Sequence, residues 1–127
     1  MQSMIRRCSY AVAAVCVLAV GPATAHHGGD VEWQDAAVGP ITGTATKFAF
    51  QFPHVFFEMN VEDNGATSLW TITTRWTPTI LRDHGWGRES IKAGDKVTVT
   101  YLPHIDKPRI GQMQTIEING KSLPLSF

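Results

Sequence analysis

Five histidines, at positions 26, 27, 54, 84 and 104, are the side chains with the most chemical scope in this sequence. The first two matter because of what precedes them. Ala23-Thr24-Ala25 offers the small-x-small pattern at which a secretory leader is cut. Cleavage after Ala25 makes His26 the first residue of the mature chain. A terminal histidine presents two nitrogens to one metal ion, its α-amine and its own ring Nδ1. A third imidazole would complete the three-nitrogen set that suits Cu(II). His27 permits a second mode, through the amine, the deprotonated His26–His27 amide nitrogen and its own ring. Either mode requires the leader to be removed.

His54 is the preferred third ligand, because Pro53 restricts the backbone just before it and would hold the ring at a strand break. His104, in a proline-containing loop, is the other candidate, so the metal set is drawn from His26, His27, His54 and His104. His84 falls near the end of a short helix, where a cation complements the helix dipole. Glu58 or Asp106 could supply a carboxylate behind a ligand. Against all this stands a plain alternative, in which a polar exported arm carries two idle histidines and His54 bonds a backbone carbonyl.

The four tryptophans raise a second possibility. Trp70 and Trp86 read as core. Trp33 and Trp76 are the candidates for an exposed contact with a protein, peptide or glycan. Arg75, Arg82 and Arg88 cluster in sequence around the helix, and a solvated face is the simple reading of them. Catalysis finds little support. The serines sit in no nucleophile-elbow context, and Gly85-Trp86-Gly87 and Gly94-Asp95 are turn residues, not phosphate cradles.

The rest of the chain must position these groups. A basic start, MQSMIRR, an eleven-residue apolar run and the Gly21-Pro22 break read as a leader over residues 1–25, too short in its apolar part to anchor in a bilayer. Its removal takes Arg6, Arg7, Cys8 and Cys16. Nine bases then stand against eleven acids, a net charge of −2, and no cysteine remains. Disulfides, thiolate metal sites and thiol nucleophiles are thereby excluded. A mildly acidic domain is a poor ligand for nucleic acid. The expected location is periplasmic or secreted, with no membrane span after processing.

Residues 26–39 read as a flexible arm and 40–127 as the folded domain. From Pro40 onward, short runs of Thr, Val, Ile and aromatics alternate between turn residues. Strands are expected over 41–52, 55–62, 68–75, 96–102 and 110–118. Phe48, Phe50 and Phe52 are expected on one buried face, as are Val55, Phe57, Met59 and Val61. Asn64-Gly65 and Asn119-Gly120 mark tight hairpins, and the tail could add a short edge strand. Between the third and fourth strands, Thr77 is an N-cap, Pro78 the first helical residue, and Gly85 the stop. Three strands, a short helix and two strands are the connectivity of the OB-type Greek-key barrel.

The chain also resembles a family of small exported bacterial proteins catalogued as a domain of unknown function. The shared features are the Ala-His-His start, the segment G-T-A-T-K-F-A-F-Q-F-P-H-V, Leu69-Trp70, Leu81-Arg82 with Gly85-Trp86, and K-A-G-D-K-V at 92–97. The recurrent positions fall on His26, His27, Pro53, His54, Trp70, Gly85, Trp86, Gly94 and Asp95. Where the family usually has Asn before Pro-His, this chain has Phe52. The resemblance implies an exported β-barrel-like domain and brings no activity with it. The combined expectation is a non-catalytic binding protein. It would hold copper through His26 and His54, with a metal-delivery protein as partner, or bind a partner on its barrel face without metal.

Overall fold

The computed structural model describes residues 32–123, so the leader, His26 and His27 lie outside the described residues. The elements are β1 (Val38–Ala49), β2 (Phe56–Asp63), β3 (Ala66–Thr73), α1 (Pro78–Asp83), β4 (Lys96–Pro103), β5 (Ile110–Ile118) and β6 (Lys121–Ser122). The sheet runs β3-β2-β1-β4-β5-β6. A short parallel ladder between Thr71–Thr73 and Ile110–Gln112 joins β3 to β5 and closes five strands into a ring. The fold is mainly β and OB-like, with one short helix between β3 and β4, as the connectivity predicts.

Alternation explains the core. Val55, Phe57, Met59 and Val61 all point inward, joined by Ile72, Val97, Val99, Met113 and Ile116. Both Asn-Gly pairs form the tight turns expected of them, with φ of 50° and 80° at Asn64-Gly65 and 51° and 79° at Asn119-Gly120. The Thr77 side chain accepts a hydrogen bond from the Ile80 N–H at 3.4 Å, capping a helix whose first residue is Pro78. Beyond Gly85, at φ 85°, the Trp86 N–H donates to the Leu81 carbonyl, and the indole is buried.

One expectation about the core fails. Phe50 is buried and Phe48 packs on the core, but Phe52 is 76% exposed. The strand ends at Ala49, and the chain then turns through Phe52-Pro53, so the two-residue period no longer applies at position 52. The boundary between arm and domain also differs from the reading at residue 40. β1 begins at Val38, and the chain before it is tied down as far back as Glu32.

Two devices shape the ring. At Gly43, a Cβ would lie 2.5 Å from the Asn60 carbonyl oxygen, so β1 and β2 approach as only glycine allows. The register then shifts between Ala45 and Lys47. The other device tends the free edge of β5. β6 covers Glu117 and Ile118, and the Leu123 N–H donates to the Ile116 carbonyl. The Gln114 amide reaches back along its own strand to the Gln112 and Met113 carbonyls, at 3.3 and 3.1 Å. That edge is closed to further strands.

The turn into β4 is held by a half-buried aspartate. Asp95 accepts from the Asn119 side chain at 3.0 Å and from the Lys92 N–H at 2.8 Å. These bonds hold its pKa below the ordinary value, with the Asn119 amide the larger cause and the Lys92 backbone the next. A carboxylate depressed on folding stabilises above the ordinary carboxylate range and loses that contribution as pH falls through its folded-state value. The melting temperature of Asp95→Asn should therefore lie below the parent's at pH 7, and the gap should narrow as pH falls below the ordinary carboxylate range. A gap that stays constant on acidification would refute this.

Candidate functional site

A cleft of about 1010 Å³ opens at the end of the ring where β3, β4 and β5 meet. Three separate stretches wall it. Glu32–Asp35 form one side, His54 with Thr73–Arg75 another, and Leu102, His104, Lys107, Ile110 and Gln112 the third. This is the end of the ring that carries the β1–β2 and β4–β5 connections.

Backbone bonds hold the first wall. Trp33 bridges His104 in antiparallel fashion. The Gln34 N–H donates to the Pro103 carbonyl at 2.8 Å, and the Ile105 N–H to the Glu32 carbonyl at 2.9 Å. The half-buried Trp33 ring meets the His104 ring edge-on, with centroids 5.4 Å apart. Thus residues 32–34 of the arm are held against the β4–β5 loop by an isolated β-bridge.

His54 is exposed on the opposite wall. Its position is fixed by its neighbour, since Val55 is fully buried and its carbonyl accepts the Thr74 N–H at 2.9 Å. Thr74, itself buried, donates its hydroxyl to the Trp76 carbonyl at 2.9 Å, tying the end of β3 in place. His104 is differently engaged. Its Nδ1 accepts from the backbone N–H groups of Asp106 and Lys107, at 3.0 and 3.1 Å. A neutral ring whose Nδ1 accepts carries its proton on Nε2. In this geometry His104 is a hydrogen-bond donor; to ligate a metal it would have to release the loop.

The other candidates lie as follows. Trp76 is half-buried, packs against the core and carries the Arg75 guanidinium 5.0 Å over its ring. Trp70 packs against the core and meets the Tyr101 ring edge-on. His84 is exposed at the helix C-terminus. Glu58 is paired with Lys47 at 3.7 Å and does not line the cleft. Among the described residues, no group of three or more His, Cys, Asp or Glu side chains stands close enough to hold a metal ion. His54, His104 and Trp33 do share the one cleft. Sequence reasoning passed over Glu32, Asp35, Lys107 and Gln112, which are isolated polar residues in no local pattern, and read Arg75 only as part of a solvated face.

The cleft holds acids on the arm side, Glu32 and Asp35, and the bases Arg75 and Lys107 across it. The two ion pairs among the described residues, Lys47–Glu58 and Lys92–Glu89, lie elsewhere. Glu32, Asp35 and Lys107 are in neither of these pairs, and Arg75 lies over the Trp76 ring. Also among the described residues, no helix is long and apolar enough to cross a membrane.

A family model described as a family of unknown function (DUF6152) matches residues 13–114, in line with the resemblance carried by the motifs. No curated protein matches the chain. Among solved structures, the chain is similar to the mitochondrial single-stranded DNA binding protein Rim1 of S. cerevisiae. The identity is 13%, over 68% of this chain and 94% of that one, with a TM-score of 0.46.

Proposed function

The chain belongs to that family of unknown function, DUF6152, and from its own cleft we propose an exported, non-catalytic protein that holds a copper ion. The ligands are the amine and ring of His26 with the ring of His54. The observation that carries this reading is that Glu32 and His54 line the same cleft. His26 stands six residues before Glu32, so at most about 20 Å of chain separates it from the cleft wall. His104, with its Nδ1 occupied, orients the wall and does not ligate. The role is storage or delivery in the periplasm, without turnover.

Copper(II) titration of the mature protein, purified from the periplasm and checked by mass, tests the reading. One-to-one binding should weaken at least about tenfold in His54→Ala, the scale on which even indirect ligand partners act. Binding that ignores His54→Ala would refute it.

A second reading rests on Trp33. A half-buried indole in the wall, beside charges of both signs, suits an organic partner such as a peptide or glycan in the same cleft. That binding would survive chelators and fail in Trp33→Ala, whereas the copper site would do the reverse.

A further inference from the structure

The ring closes through only part of β3. In the β2–β3 hairpin the main-chain groups of alternate residues face opposite edges. Thr71 sends its N–H outward to the Arg109 carbonyl, and Thr74, three residues on, bonds Val55 on the β2 side. By this alternation Thr67 and Leu69 also face outward. Among the described residues, however, the pairing of that edge begins only at Thr71. A stretch of edge from Ala66 to Trp70 is left open.

Nothing in that stretch discourages a second strand. Exposed edges are usually guarded by a lysine, a proline, an inward charge or a covering loop. The residues here, Ala-Thr-Ser-Leu-Trp, include none of these, and Leu69 is 52% exposed. The contrast with β5 is direct, since β5 is covered by β6 and by the Gln114 amide.

The charges at the two ends of the edge are opposite. At the Ala66 end stand Glu62 and Asp63, both exposed, paired in register with Thr67 and Ala66. At the Thr71 end stand Lys107 and Arg109, also exposed, with Asp106 the acid of that loop. An antiparallel mate of the same chain reverses this order, so each acidic end meets a basic end.

We infer that the protein forms a two-fold symmetric dimer through the open edge of β3, antiparallel about Ser68. Thr67 of each copy then pairs with Leu69 of the other, and the Leu69 side chains are covered. A five-residue edge is a small contact, so the dimer is a weak one. The inference is independent of the copper reading and concerns the β3 edge, which meets the cleft at Lys107.

Sedimentation equilibrium of the mature protein at low salt tests it. Half-association is expected at about 10–100 µM, a range ordinary for a small interface. Leu69→Lys places a guarding charge on an exposed side chain and should raise the dissociation constant at least tenfold with an unchanged melting temperature. Lys107→Glu should weaken the dimer, and adding Asp63→Lys to it should restore it, because the reversed charges again meet across the two-fold axis. A monomer up to about 1 mM would overturn the inference. So would a dimer indifferent to Leu69→Lys, which would have to use another face.

Discussion

Gly43→Ala is expected to lower the melting temperature by roughly 12–24 °C, because the added methyl meets a backbone atom that cannot swing aside. Its Cβ would stand 2.5 Å from the Asn60 oxygen and 3.1 Å from the Met59 sulfur. The thioether could move. The carbonyl belongs to β2, whose next residues inward, Met59 and Phe57, are fully or almost fully buried. Relief requires β1 and β2 to separate at their closest point, beside the register shift at Ala45 and Lys47. Overpacking a tight core costs about 1–3 kcal/mol, and here the obstacle is main chain, so about 3 kcal/mol is expected. In a domain of about 100 residues each kcal/mol moves the midpoint by roughly 4–8 °C. Gly87→Ala is the control, since a Cβ there meets nothing within 4 Å. Thermal unfolding of both variants decides the matter. If Gly43→Ala melted within about two degrees of the parent, the strands would be freer to part than this packing implies.

The second large effect concerns the proposed copper site. Acetylation of the His26 α-amine converts it to an amide and removes a nitrogen ligand while leaving every imidazole in place. Copper(II) affinity is expected to fall by about a hundredfold or more, the upper end of what ligand-shell changes cost. Competition against a chelator of known strength would measure it. Full affinity in the acetylated protein would mean that the terminus is not a ligand. His54 would then need partners from elsewhere in the cleft, where Glu32 and Asp35 are the acids at hand.

The fold was legible wherever side-chain periodicity and turn chemistry act locally. Residues 55–61 alternate cleanly because β2 buries one face along its length. Thr77, Pro78 and Gly85 announced the helix because capping is a short-range geometry. Asn64-Gly65 and Asn119-Gly120 announced their turns because few residue pairs accept two positive φ angles in succession. Phe52 misled because an alternating run does not reveal where the strand stops.

The cleft was legible only in part. His54, His104 and Trp33 stand out by type, but what gathers them is pairing between stretches about seventy residues apart. The bonds that fix Glu32 and Gln34 are main-chain bonds, which any residue could make, so no side chain signals them. The engagement of His104 is likewise unreadable from sequence. It depends on two N–H groups turned back toward the ring by the loop that follows it.

The Gln114 amide, folded back on the carbonyls of Gln112 and Met113, sets an upper limit on size. A subunit with two open edges is bifunctional, like a monomer in a chain polymerisation: each addition exposes a fresh edge, and growth has no natural end. With β5 sealed, association through these two edges is monofunctional. A second copy arriving at β3 consumes that edge on each, so a preparation at high concentration should stay clear and stop at pairs. Gln114→Ala would restore the second functionality, and slow rises in light scattering would then report filaments that the parent cannot start.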